Sequence, residues 1–144
     1  MSRNYGYQPS IHFSVILGQS MQTQKLSKTV TSALAYIEDA IDIQTKGNEE
    51  KVMQLTWRAA SDLEYGLFLF SLRHPEETRS SSWKLPPIKQ PKTESLLAST
   101  QDLLKEATKN VEADNLKEAH KKMWIARGQL LRIHDFFEKK HRKT

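Results

Sequence analysis

The sequence predicts an all-α protein, a four-helix bundle built from two similar helical hairpins. Apolar side chains recur at spacings of three and four in four segments, which is typical of amphipathic helices. The 144 residues include only 5 glycines and 5 prolines, few for a β-sandwich with many tight turns. This length favours a single domain, residues 1–144, that buries its own core without disulfides.

The first hairpin is predicted over residues 24–73. Its first helix covers about residues 24–45, and "KGN" supplies the turn, with Asn48 as the N-cap of the second helix. The second helix, about residues 49–72, ends in "YGLFLFSL", which is apolar nearly all round. Such a helix end is expected to be deeply buried or to meet a partner.

Two segments lie outside the predicted hairpins. Residues 1–22 include the apolar run "IHFSVILG", and because no obvious small-residue cleavage site follows it, we interpret this segment as a docking segment and not as a signal peptide. Residues 74–92 include "KLPPIKQP", which cannot form a regular helix. We predict a linker there, with Trp83 as its apolar anchor.

The second hairpin is predicted over residues 93–141, with "ADN" as its turn. A shift of 67 residues places the two turns in register and superimposes Trp57 on Trp124. Neither hairpin can bury its apolar face alone, so the two are expected to pack together. We expect Trp57 and Trp124 to be matching anchors in the core.

A polar row interrupts this similarity. The last predicted helix carries a histidine or arginine at every seventh position, and positions seven apart lie on nearly the same side of a helix. The equivalent row of the first hairpin is apolar (Met53, Ala60 and Leu67), so packing alone does not require the change. The side chains either serve a function or lie at the edge of the core with their polar ends in water. The row consists of His120, Arg127, His134 and His141.

Arg127 and His134 suggest one enzymatic interpretation. A histidine exchanges protons near neutral pH, and an arginine stabilises charge that develops on a phosphate. The layout "EATKNVEADNLKEAHKKMWIARGQLLRI" resembles the small helical bundles called HEPN domains, whose active members carry an arginine followed a few residues later by a histidine. The resemblance implies, as the alternative function, a ribonuclease that uses Arg127 and His134.

A second pattern points to protein binding. "LLRIHDFF" resembles the peptide motif by which replication and repair proteins bind sliding clamps, with Ile133, Phe136 and Phe137 at its apolar positions and Leu130 where glutamine is usual. The apolar end of the second helix and the polar row are further candidates. Together they give the residues that we expect to bind a partner: Phe68, Phe70, His120, Arg127, His134, Phe136 and Phe137.

The net charge of +5 comes from the second half of the chain. Residues 1–74 hold seven basic and seven acidic side chains, whereas residues 75–144 hold fifteen and ten. A basic last helix could meet nucleic acid or an acidic protein surface, although cations near a helix C-terminus also offset the helix dipole. The candidate nucleic-acid contacts are Lys121, Lys122, Arg132, Lys139 and Lys140.

Several classes of site are not indicated by the sequence. The chain has no cysteine, hence no disulfide, thiolate metal site or cysteine nucleophile. It has no nucleotide-binding loop and no HExxH motif, and His134 and His141 are too widely spaced for typical paired ligands on one helix. No apolar stretch is long enough to span a bilayer. We therefore expect no metal, no cofactor, no membrane association and a cytoplasmic location.

These observations favour binding over catalysis. The apolar end of the second helix, the proline-containing linker and the one-sided basic helix are features of an interaction protein. We predict a non-catalytic accessory or adaptor protein that binds a protein partner or a second copy of itself, and that could belong to a nucleic-acid-associated complex.

Overall fold

The structure, a computed structural model, describes residues 9–73, 83–85 and 92–142, with side chains from residue 23 onward. These residues form four α-helices and no strand. Each helix packs against two neighbours, since α1 and α4 both contact α2 and α3. This arrangement confirms the predicted four-helix bundle. The helices are α1 (Pro9–Thr45), α2 (Glu49–Arg73), α3 (Thr93–Glu112) and α4 (Leu116–Arg142).

The first helix begins earlier than the sequence predicted. α1 starts at Pro9, well before the expected start near Gln24. Proline fits the first turn of a helix because its missing N–H has no intrahelical partner there, and Gly18 costs only about 1 kcal/mol inside a helix. Residues 9–22 are therefore a continuation of α1 and not a separate segment. Their side chains, and thus their predicted docking role, lie outside the described residues.

The two hairpin turns are built alike. Gly47 and Asp114, which are 67 residues apart, are the described residues with positive φ, at 82° and 59°. Both backbone N–H groups donate to the carbonyl three residues earlier, at 3.2 and 3.1 Å. The helix boundaries on either side of the turns share the same offset. Asn48 caps α2 as predicted, since its Oδ1 accepts from the Lys51 N–H at 3.1 Å.

The core repeats with the same offset. Leu63 of α2 and Leu130 of α4 are both fully buried, as are Ile37 of α1 and Leu104 of α3. Each hairpin thus contributes equivalent positions to one continuous core. The predicted similarity of the hairpins is confirmed at the level of turns, helix boundaries and core positions.

Neighbouring helices of the two hairpins run antiparallel. Lys140 near the end of α4 contacts Glu49 at the start of α2, with 2.7 Å between Nζ and Oε2, and Phe70 near the end of α2 stacks on His120 near the start of α4. We call the latter end of the bundle the upper end. Because α4 finishes at the lower end, the antiparallel α3 starts there. The connection from α2 to α3, residues 74–92, therefore crosses from the upper end to the lower end, as in bundles with one long crossover.

Described parts of this crossover agree with the predicted linker. Trp83–Leu85 has no regular secondary structure. α3 begins at Thr93, at the predicted position. No helix in the described part of the chain is long and apolar enough to cross a membrane.

Candidate functional site

The polar row of α4 faces α2. The His120 ring stacks on the Phe70 ring, with centroids 4.1 Å apart. The Arg127 guanidinium pairs with Glu64, with 3.2 Å between Nη1 and Oε2. The row therefore forms the floor of a long groove between the two helices, which we call the α2/α4 groove.

Row residues at the lower end contact aromatic side chains. The His134 ring lies 4.7 Å from the Trp57 ring, and the His141 ring lies 4.2 Å from the Phe137 ring. His134 Nε2 is 3.8 Å from a carboxylate oxygen of Glu138, one helical turn away. The row thus meets aromatic and acidic neighbours along its whole length.

Trp83 of the crossover occupies the upper half of the groove. Its ring centroid is 4.8 Å from that of His120 and 5.9 Å from that of Trp124. Two residues further along the chain, Leu85 packs against Gly128. This confirms the predicted anchor role of Trp83. Beside it remains a cavity of about 310 Å³, lined by Glu64, Leu67, Phe68, Ser71, Trp83, His120, Trp124 and Arg127.

The lower half of the groove is open. It encloses about 550 Å³, a volume within the range of ligand-binding pockets. Its walls combine apolar surface from rings and a thioether with a few polar groups. The lining residues are Glu50, Met53, Gln54, Trp57, His134, Phe137, Glu138, His141 and Arg142.

Arg127 and His134 belong to different halves of the groove. Arg127 lines the upper cavity and is held by Glu64, whereas His134 lines the lower one and lies on Trp57. Seven residues correspond to a rise of about 10 Å along a helix. Within one chain, the structure therefore does not bring the two side chains to a common cavity where both could contact one phosphate.

The expected partner-binding residues divide into exposed and buried ones. Phe68 is 56% exposed and Phe136 is also exposed, so both are available to a partner. Phe70 and His120 are only 2% and 5% exposed, because each covers the other where α2 meets α4. Their predicted place on a binding surface is therefore wrong. Phe137 is partly buried and packs against the core.

The clamp-binding motif is not presented by the folded chain. Ile133, its aliphatic position, has no exposed surface because it belongs to the core stripe of α4. Only Phe136 of the apolar positions is fully exposed. An amphipathic helix produces the same spacing for packing reasons.

The prediction that Trp57 and Trp124 are core anchors is also wrong. Trp57 is 52% exposed, and Trp124 is partly buried beneath Trp83. Both lie one helical turn beyond the groove floor, on its rim. The signal that sequence reasoning missed was this position: Trp57 follows the floor residue Met53 by four, just as Trp124 follows His120.

The predicted nucleic-acid contacts are largely engaged with carboxylates. Lys122 pairs with Glu106, Lys139 with Asp135 and Lys140 with Glu49, at 3.1, 3.2 and 2.7 Å. Lys121 is exposed and Arg132 is partly buried. The basic excess of α4 is thus locally offset, and no single strip of unpaired cations emerges from these five residues.

The described residues contain no group of three or more histidine and acidic side chains that could hold a metal ion. Comparison with protein-family models, with curated proteins and with solved structures finds no significant match to this chain.

Proposed function

We propose that this protein is a non-catalytic helical accessory protein that binds a protein partner through the α2/α4 groove. The observation that carries the proposal is the half-exposed Trp57 on the rim of an open cavity of about 550 Å³. Tryptophan is enriched at the centres of protein–protein interfaces, where its large apolar surface is removed from water. A cytoplasmic location is part of the same proposal.

Exposed apolar residues extend the surface beyond this cavity. Phe68 lines the upper half, and Leu131 lies seven residues from both Trp124 and Glu138, which line the two halves. These side chains form a band along one side of the bundle. A band of this kind, bordered by charged residues, is typical of an interaction surface.

Charge favours protein over nucleic acid as the occupant. Glu50 and Glu138 line the lower half and Glu64 lines the upper half, so carboxylates accompany the groove along its length. Carboxylates repel phosphates, whereas nucleic-acid sites need a continuous basic strip. An association with nucleic acid would then be indirect, through the partner.

Site-specific photo-crosslinking tests this function. A benzoylphenylalanine in place of Leu131, within the band, should form adducts with a protein in cells. The same probe in place of the exposed Lys105 on α3 should not. Nuclease treatment should leave the adducts unchanged, and adding Trp57→Ala to the Leu131 probe protein should reduce them several-fold.

Two results would refute the proposal. One is equal or absent crosslinking at both probe positions. The other is RNA cleavage by the purified protein that His134→Ala abolishes while the helical circular dichroism is retained. The second result would support the HEPN-like ribonuclease that the sequence resemblance implies, with Arg127 and His134 meeting one phosphate in another arrangement, such as across a dimer.

A further inference from the structure

The two halves of the α2/α4 groove are related by the same 67-residue shift that relates the hairpins. Trp57 on the lower rim corresponds to Trp124 on the upper rim, and Met53 on the lower floor corresponds to His120. Phe137 and Phe70 form the third equivalent pair. Since α2 and α4 run antiparallel, the shift exchanges the two ends of the groove. The protein therefore contains the same aromatic site twice.

Only the upper copy of this site is filled by the described part of the chain. There, Trp83 contacts both His120 and Trp124, and it comes from a segment without helix or strand structure. No described residue holds the equivalent position against Met53 and Trp57. The lower cavity is also larger than the space left beside Trp83, at about 550 Å³ against about 310 Å³.

We propose that the lower half of the groove binds a tryptophan side chain from a non-helical segment of a partner protein, as the upper half binds Trp83. This inference rests on the proposed protein-binding function and deepens it by naming what the partner presents. The chain itself shows that a groove of this construction accepts an indole ring.

The lining of the lower half suits an indole. Trp57, Phe137 and the thioether of Met53 offer aromatic and polarisable surface to its faces. Gln54, Glu50 and Glu138 supply acceptors for the indole N–H, which a buried tryptophan needs.

The chain's own crossover also indicates a suitable neighbour. Lys84 follows Trp83, and the two carboxylates of the lower lining, Glu50 and Glu138, would attract a cation placed beside the bound ring. Those carboxylates oppose the phosphates of a stacked nucleotide. A tryptophan followed by a basic residue is therefore the partner chemistry that fits.

The crossover supplies a probe. A peptide with the sequence of residues 80–91, SSSWKLPPIKQP, with blocked ends, is titrated into the full-length ¹⁵N-labelled protein. The protein has 3 tryptophans, hence three indole N–H signals, which single Trp→Phe variants assign. We expect the Trp57 signal to shift in a saturable way while the Trp124 signal stays in place. A peptide with alanine in place of its tryptophan should cause no shift.

Matched variants locate the site. Trp57→Ala should weaken peptide binding at least tenfold, measured by fluorescence anisotropy of a labelled peptide. Tyr65→Ala removes an aromatic ring of the same exposure from the same helix, but away from the groove, and should change the affinity less than twofold (Trp57 is 52% and Tyr65 51% exposed). His134→Ala is a second groove variant, for the case that Trp57→Ala perturbs the fold; retained Trp83 and Trp124 signals show that the fold is intact.

Each other outcome counts against the inference. A shift of the Trp124 signal would mean that the peptide displaces Trp83 from the upper half. Equal binding of the alanine peptide, or an unchanged affinity of both groove variants, would exclude tryptophan recognition. A Trp57 shift with a single-stranded DNA oligonucleotide but not with the peptide would assign the groove to base stacking.

This experiment fails separately from the test of the proposed function. If crosslinking from Leu131 succeeds and the peptide does not bind, the groove binds a protein by other chemistry. If the peptide binds Trp57 and Leu131 forms no adducts, the aromatic site exists and the accessory role is refuted.

Discussion

The contact between Leu85 and Gly128 yields a quantitative prediction about how the crossover is held. A Cβ atom built on Gly128 would lie 2.4 and 2.7 Å from the two methyl carbons of Leu85 and 3.0 Å from its Cγ. Carbon atoms in favourable contact are about 3.5–4.0 Å apart. Gly128→Ala therefore forces Leu85 to move by about 1 Å or more, since the helix backbone cannot retreat from its own core.

Two opposing effects set the magnitude. Replacing glycine by alanine inside an exposed helix stabilises it by about 1 kcal/mol. Overpacking a contact costs about 1–3 kcal/mol. In the wild-type background Gly128→Ala should leave the free energy of unfolding unchanged or lower it by up to about 2 kcal/mol. In a Leu85→Ala background the obstacle is gone, and the same change should raise it by about 1 kcal/mol.

A double-mutant cycle measures the difference. Urea unfolding of the four proteins, followed by circular dichroism at 222 nm, gives a coupling free energy that we expect to be about 1–3 kcal/mol. In Gly128→Ala alone, the Trp83 fluorescence should also change, because displacing Leu85 pulls on the neighbouring anchor. Equal stabilisation by Gly128→Ala in both backgrounds would show that Leu85 does not rest on this glycine.

Three further changes test the core and the turns, each by its free energy of unfolding. Gly66→Ala would place a Cβ 2.5 Å from the terminal methyl of buried Met123, so we expect about 1–2 kcal/mol of destabilisation despite the better helix former; a gain would show an empty space there. Thr100→Val removes the buried hydroxyl that lies 3.0 Å from Gln129 Oε1 and should cost about 1–3 kcal/mol, largely recovered in combination with Gln129→Leu. Asn48→Ala removes the N-cap bond of α2 and should cost about 1 kcal/mol, whereas Thr45→Ala, at an exposed hydroxyl, should cost less than half of that.

The helices were predictable to the extent that their signals are local. The turn between α1 and α2 needs Gly47 for its positive φ and Asn48 for the cap, and both are visible in the sequence. The start of α3 follows the last proline of the linker. The start of α1 was missed because an early proline marks a helix start only if the residues after it stay helical, and the mixed segment of residues 9–22 gives no clear period.

The candidate site was predictable only in outline. Its floor, the row through Arg127 and His134, stands out in the sequence because the first hairpin has apolar residues at the same positions. Its rim does not stand out. Trp57 has the composition of a core residue, and its exposure follows from being one turn outside the stripe that packs on α4.

The sequence by itself determined four helices, two equivalent turns and a polar row on α4, because helix periodicity, capping and backbone strain act between residues a few positions apart. The tertiary structure alone decided that α2 and α4 lie side by side and antiparallel. That pairing buries His120 under Phe70, separates Arg127 from His134, and sets Trp83 in one half of a groove whose equivalent half stays open. Contacts between helices depend on which apolar faces meet, and two amphipathic hairpins of similar pattern leave that choice to the packing of the whole bundle.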